Sequence, residues 1–382
     1  MFPDFNIYSS PLLLLVVQGL ILSGLLLWSF KTKHNLPNLI LGILLIITCY
    51  HRTTYTLGFM GWYDVFRNTK INYFLVPVSF AIGPLIYFYI KSFIEREFAF
   101  DKKKLLHFLP TAIYTIYKIN VYIYDRSQPG FSETQNGVFM QSDLYYGIDV
   151  FYVIVVSIQM FLYLALSIYV YYQYRNALVQ QYSNTYKSEL HWLRNFLFVY
   201  SFLFVYDVLQ TVTDEFIFNL GWTGRWWYQF LSVIIVIYVG LKGFFTDMNT
   251  LKKIDLSIIP TSKKAKNGAI EFDRIKELEK MQYVVSTEKL YLDPNLSLTQ
   301  LSKAVRMSPT LVSDLINRGL GKNFNDYINR YRVKTIVSRL SDENYSHLSI
   351  LSIALDNGFN SKATFNRVFK KITEKSPSEY RK

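Results

Sequence analysis

The residue types that usually carry catalysis are sparse and scattered in this sequence. Its five histidines, His34, His51, His107, His191 and His347, stand far apart, and no H-E-x-x-H pair, glycine-rich phosphate loop or nucleophile motif occurs. The one cysteine, Cys49, excludes an internal disulfide framework and a cysteine-cluster metal site. No metal or cofactor is expected, and the chain does not read as an enzyme. Two other kinds of chemistry remain. Near the C-terminus, Arg330, Arg332, Lys334, Lys370 and Lys371 offer cations suited to phosphate. Further upstream, Lys118, Asp149 and Asp207 stand within long apolar stretches, where ionised groups are costly and therefore mark a binding site or a structural pair.

Lys370 and Lys371 lie on a pattern that occurs twice, a short helix, a tight turn and a second helix, and Arg330, Arg332 and Lys334 lie between its two copies. In LSLTQLSKAVRMSPTLVSDLI, Leu298, Leu301 and Val305 make the inner face of the first helix. Small Ser302 allows close approach, Met307 fills the turn, Ser308 caps the next helix, and Leu311, Val312 and Leu315 pack back. In LSILSIALDNGFNSKATFNRVFKK, Ile350 and Ile353 do the first job and Ala354 is the small residue. Gly358 takes the positive φ of the turn, Phe359 plugs it, Asn360 or Ser361 caps, and Phe365, Val368 and Phe369 pack back. Between them Phe324, Tyr327, Ile328, Tyr331, Ile336 and Leu340 recur at helical spacing. A helix over 324–340 would be roughly 25 Å long and could hold two recognition helices near the roughly 34 Å spacing of successive major grooves.

From about Phe272 to Lys382 the sequence resembles the DNA-binding domain of AraC/XylS-type transcription regulators. The residues that carry the resemblance are Leu301, Ala304 and Ser308, the segment FNDYINRYR, the series Ala354, Gly358, Phe359, Ser361, Phe365 and Phe369, and the closing SPSEYR with Pro377 and Tyr380. The resemblance implies that exposed positions of each recognition helix reach base edges. These are Thr310, Ser313 and Asp314 in the first unit, and Lys362, Ala363, Thr364 and Arg367 in the second; Arg330 and Lys370 are read separately, from the helical pattern, as phosphate contacts. Arg367 is the residue suited to guanine, by two hydrogen bonds in the major groove. Two departures stand out: Arg306 occupies a turn position where glycine is common, and Asp314 puts a carboxylate where a cation is common.

The elements ahead of this domain are of a different kind. The chain is 51% hydrophobic and 18% aromatic, with a mean hydropathy of +0.14, unusual for a soluble protein. PLLLLVVQGLILSGLLLWSF, Pro11 to Phe30, has no charge and the length of a spanning helix. It lacks the basic start and small-residue cleavage site of a signal peptide. Further spans are expected at Asn35 to Tyr55, Ile71 to Phe93, Leu105 to Tyr124, Tyr145 to Tyr172, Leu190 to Val212 and Gly224 to Phe245, seven in all. Pro77, Gly83 and Pro84 are expected to kink the third. With the N-terminus outside, the inner loops carry ten lysines and arginines and the outer loops five, as the positive-inside rule requires. Trp62, Trp222, Trp226 and Trp227 then fall at outer boundaries. Lys118, Asp149 and Asp207 all fall in the outward half of their spans, either as a pocket for a polar ligand or as packing pairs.

Of the net charge of +13, +9 belongs to the stretch from Asp247 onward. Residues 247–269 read as a basic juxtamembrane linker broken by Pro260, whose lysines either lie on anionic lipid or stay solvated. After it, Phe272, Ile275, Leu278, Met281 and Val284 or Val285 form a stripe that suits a core-facing helix rather than a coiled coil. The expected protein is all-α: a transmembrane bundle over 1–246, the linker, and a cytoplasmic domain over 270–382. It is expected to be a multi-pass inner-membrane regulator of a bacterium that binds double-stranded DNA in response to a sensed ligand. Its other expected partners are lipid, the transcription machinery and a second copy as homodimer. The competing readings are a transporter with an appended DNA-binding domain, and a precursor whose tail is released by proteolysis.

Overall fold

The computed structural model describes residues 4–65, 70–95, 98–185, 191–246 and 272–381. Among them every regular element is helical, and the sole β contact is an isolated antiparallel bridge between Tyr182 and Ser297. The juxtamembrane linker lies outside the described residues. The chain forms two compact units, each discontinuous in sequence: residues 1–171 and 191–248 cluster together, as do 172–190 and 249–382.

The first unit contains α1 (Ser9–Lys33), α2 (Leu36–Phe59), α3 (Ile82–Ile94), α4 (Leu109–Arg126), α5 (Asp143–Gln181, which it holds as far as Tyr171), α6 (His191–Phe216) and α7 (Gly221–Phe245). Its polarity is inverted. Leu14, Val17, Ile21, Leu25 and Trp28 of α1 are exposed, whereas Ser23 and Asn38 are buried and join helices: Ser23 Oγ donates to Gly42 O at 2.8 Å and Asn38 Nδ2 to Ser29 Oγ at 2.9 Å. Small residues set the closest approaches, since a Cβ on Gly19 would come within 2.5 Å of Cys49 Sγ. Polar links and small-residue contacts are what hold helices together when the surroundings are as apolar as the side chains.

Six stretches are long and apolar enough to cross a membrane: α1, α2, Ile71–Ile94, α5, α6 and α7. The fourth expected span, α4, has 18 residues, includes Lys118, Asp125 and Arg126, and is not among the six. The third is not a kinked helix but a broken one. A turn at Ile71–Phe74 ends before Pro77, and the chain re-enters a helix only through Ser79–Ala81. Pro77 offers no backbone N–H, and it disfavours the helical conformation for the residue before it.

The second unit contains α8 (Phe272–Thr287), α9 (Leu298–Val305), α10 (Pro309–Asp314), α11 (Phe324–Leu340), α12 (Ile350–Asp356), α13 (Lys362–Thr373) and α14 (Pro377–Tyr380). It has two apolar cores joined by α11. Phe324, Tyr327 and Ile328 enter one with Met281, Leu301, Val312 and Ile316. Val333, Ile336 and Leu340 enter the other with Ile353, Phe359, Phe365 and Phe369. Side-chain caps start the helices where the sequence supplies serine or asparagine: Ser297 in a reciprocal box with Gln300, then Ser308, Asn323, Ser349 and, of the two candidates, Ser361.

Candidate nucleic-acid interface

Each helix pair forms around its turn. In the second unit the chain leaves α12 through Gly358 at φ +86°, and Phe359 turns inward with 3% exposure against Phe365, ring centroids 5.4 Å apart. Ser361 Oγ accepts from Thr364 N at 3.3 Å and starts α13. Phe365, Val368 and Phe369 fix the rotation of α13, leaving Lys362, Ala363, Asn366, Arg367 and Lys370 on its exposed side. That face joins three cations, Lys362, Arg367 and Lys370, to the amide of Asn366, a donor and acceptor set suited to base edges and phosphates. Asn366 was not among the expected contacts, although it lies between Ala363 and Arg367 on the same face.

Thr364 is not on that face. It is 7% exposed and its hydroxyl meets Ser361 Oγ at 3.1 Å, so it belongs to the cap rather than to base recognition. Lys371, offered above for phosphate, is paired with Asp326 at 2.8 Å. Lys370 and Arg330 are exposed.

The first unit is built differently. Arg306 takes the left-handed conformation at φ +56° to close α9, where glycine would be unstrained. Met307 packs against the first core and Ser308 caps α10 by accepting from Leu311 N at 3.2 Å. The recognition helix is short: α10 runs six residues and passes into a π-helical turn, Leu315–Gly319. Thr310 is exposed there, as expected. Ser313 is not. It is 2% exposed, and Asn317 Nδ2 donates to its hydroxyl at 3.1 Å and to its carbonyl at 2.8 Å, because it shares the inward face with Val312 and Ile316. Asp314 is held between two guanidiniums, Arg274 at 2.9 Å and Arg318 at 2.8 Å. Its carboxylate is thus committed within the protein, and the patch presents cations in place of the anion that the sequence suggested.

Arg332, grouped above with the phosphate-binding cations, is 1% exposed and among the largest fully buried side chains. Its Nε donates to Tyr291 O at 2.7 Å, and Nη2 donates to Asp293 O at 2.7 Å and to Ser183 Oγ at 3.0 Å. Nη1 donates to Asn329 Oδ1 at 3.2 Å and Ser183 O at 3.3 Å. Burial pushes its guanidinium down to about 10, against the opposing pull of Asp293, so it remains charged at neutral pH. A Cβ on Gly358 would come within 2.8 Å of its Nε, and the Phe359 ring lies 5.8 Å away. Arg332 therefore ties the loop ahead of the first unit to the turn of the second.

In the first compact unit, Lys118 and Asp149 meet at 2.7 Å, with the Tyr145 hydroxyl also on Lys118 and Tyr114 on Asp149. Asp207 does not join them. It lines a separate cavity with Arg52 and Arg225. Among the described residues no group of three or more His, Cys, Asp or Glu could hold a metal ion.

The family described as "Helix-turn-helix domain" matches residues 301–382. HTH-type transcriptional regulators of Staphylococcus aureus strains COL, MSSA476 and N315 are each 35% identical to this chain over 103 residues. The match covers 27% of this chain and 13% of each relative, so the chain spans only a small part of the curated relatives that it matches. No solved structure matches. Residues 301–382 match a helix-turn-helix domain; the helix pair α12–α13 and the helix α10 lie within the match, and α9 enters it at Leu301.

Proposed function

We propose that the chain is a membrane-embedded, one-component transcription regulator. The carrying observation is that a double helix-turn-helix domain with a cationic exposed face on α13 shares one chain with helices whose outward faces are apolar. Lys362, Ala363, Asn366 and Arg367 are assigned to base edges, with Arg367 on guanine. Lys370, Arg330 and Lys334 are assigned to phosphates, and Thr310 is the contact left to α10.

Seven spans put the C-terminal domain on the opposite side from the N-terminus, in the cytoplasm under the positive-inside rule. The position of α4 supports its inclusion. Its exposed side chains include Ile113, Ile116, Ile119 and Ile123, whereas Lys118 and Asp125 are buried and partnered: Asp125 accepts from the Tyr73 hydroxyl and from the Phe139 N–H, both at 2.6 Å. An averaged hydropathy counts those two buried charges, whereas the exposed face of α4 up to Ile119 is mostly apolar and Asn120, Tyr124 and Arg126 are exposed only toward its end.

Chromatin immunoprecipitation of the intact protein, with transcript profiling after deletion, tests this function. Discrete bound sites next to affected genes are expected; absence of specific sites refutes regulation. Immunoblots of membrane and soluble fractions address release, because a signal-dependent soluble fragment would replace tethered action by proteolysis.

A further inference from the structure

The first compact unit holds a cavity of about 420 Å³, within the range of small-molecule sites. Its wall is built from the second half of α2, the broken stretch around Pro77, the middle of α5 and α6, and the first half of α7. These parts lie toward the chain's N-terminal side, where Asp4 N donates to Met60 O at 3.0 Å and Trp226 Nε1 to Tyr8 O at 2.9 Å. Irregular backbone is tolerated in an apolar helical layer where it lines a cavity, and here it does so: Val78 N donates to His51 Nε2 at 3.0 Å.

The polar groups of this wall are incompletely used. Arg52 donates to Gln229 and lies over the Tyr228 ring at 4.9 Å, yet its Nε is buried without a hydrogen-bond partner among the described residues. The same holds for Gln210 Oε1 and the Tyr200 hydroxyl. Three such orphans around one cavity are costly unless something occupies it. Arg225 is committed to Asp214, outside the lining. What remains is one guanidinium edge, the Gln210 and Tyr200 oxygens, one carboxylate, Asp207, which also meets the Tyr228 hydroxyl, and apolar wall from Leu75, Ile82, Met160 and Leu203.

We propose that this cavity binds a small zwitterion of the amino-acid or dipeptide class, its carboxylate on Arg52, its ammonium on Asp207 and its side chain on the apolar wall. A guanidinium presents parallel N–H donors that match a carboxylate, and a carboxylate is the natural partner of an ammonium. The consequence for transcription rests on the sensing role proposed above, whereas binding itself does not.

The test uses the intact protein in detergent, with the proteinogenic L-amino acids and their glycyl dipeptides as probes, read by thermal unfolding and calorimetry. At least one probe should raise the melting temperature, and its Kd should weaken ten-fold or more in both Arg52→Gln and Asp207→Asn. Lys118→Met, which breaks the ion pair outside the cavity, should keep wild-type affinity and controls for general loosening. Butyrate or butylamine binding as tightly as the zwitterion overturns the proposal, as does no binding by any probe. A bound zwitterion that leaves target transcripts unchanged would refute the sensing role and leave the site standing.

A second inference comes from the short segment that joins the second compact unit from the far end of α5. Residues 182–185 follow directly from α5, and Ser183, Asn184 and Thr185 are buried in the second compact unit. Ser183 N donates to Leu296 O at 3.0 Å, Asn325 Nδ2 donates to Ser183 O at 2.8 Å, and Arg332 donates to both Ser183 oxygens. We infer that this segment is a latch that holds α11 in the DNA-binding arrangement. Removing it strips two acceptors from a buried guanidinium that connects the two helix pairs, and a displacement of α5 would release it.

A cysteine pair tests the latch in intact membranes: Tyr182→Cys with Ser297→Cys in a Cys49→Ala background, with a protease site placed in the linker after Asp247. Oxidation should keep the two halves joined after cleavage, and the locked form should bind target DNA at least ten-fold more tightly than a Ser183→Glu variant. Failure to cross-link, or equal DNA affinity of locked and released forms, overturns the inference.

Discussion

The two helix-turn-helix units share one plan and differ in how firmly each presents a reading face. In the second, a glycine makes the turn, a 12-residue helix follows, and successive exposed positions carry Lys362, Asn366, Arg367 and Lys370. In the first, an arginine is forced into the left-handed region, the helix is half as long, one expected reader is buried and another is clamped by two arginines. Under the proposed function this difference assigns sequence discrimination to the second unit, and positive charge and position to the first.

The largest expected effect is at the turn of the second unit. Gly358→Ala meets both a positive φ and close contacts, since its Cβ would lie 2.7 Å from Tyr291 O and 2.8 Å from Arg332 Nε. The combined left-handed and overpacking cost is about 3 kcal/mol. Gly321, at φ +64° with nothing within 4 Å of an added Cβ, carries only the conformational part, about 1 kcal/mol. Urea unfolding of both variants measures the contrast, and equal losses would mean that the turn is not tightly packed around Arg332.

Next comes the readout itself. Arg367→Ala should weaken binding to the preferred site roughly ten- to hundred-fold and relax specificity at one base pair, the cost of a lost bidentate contact. Thr310→Ala should change affinity less than about three-fold, as a single peripheral contact would. A binding selection on both variants checks the division of labour, and the reverse order would break it.

Much of this contrast was legible beforehand. The bounds of α11, the turn at Gly358 and the caps follow from helical spacing and local capping chemistry, which depend on neighbours a few residues apart. The misplaced residues fall where chemistry was weighed above phase. Positions 324, 328, 332, 336 and 340 are four apart, so Arg332 stands on the apolar stripe of α11; its charge alone suggested an outward position. Ser313 and Thr364 likewise sit beside Val312 and Phe365 on inward faces. Partners distant in sequence were not legible. Ser183 and Arg332 are 149 residues apart, and no local pattern in 182–185 announces the latch. Nor could depth in a span reveal that Asp207 faces Arg52 and Arg225 in a separate cavity from Lys118 and Asp149.

A smaller effect concerns the clamped carboxylate. Asp314→Asn releases Arg274 and Arg318, whose side chains are nearly half exposed, so the stability lost should be below about 1 kcal/mol. One more uncompensated positive charge should steepen the dependence of log affinity on log salt by about 1 and raise affinity for non-specific DNA. Salt titrations on specific and random duplexes measure it. A loss of sequence preference, with the salt slope unchanged, would instead make Asp314 a base reader and bring the two units closer in role.

The smallest effect separates two explanations of the strained turn. Arg306→Gly removes a left-handed cost of about 1–2 kcal/mol and adds about 0.5–1 kcal/mol of backbone entropy, for a net gain of roughly 0.5 kcal/mol. Arg306 is exposed, so no core contact is lost with it. Arg306→Ala, which keeps the strain, should gain nothing. If the glycine variant is more stable and binds DNA as before, the arginine is merely tolerated and the first unit is a spacer. If it is more stable but binds several-fold more weakly at low salt, the strain is retained for a phosphate contact, and the first unit contributes charge at a place where the second contributes shape.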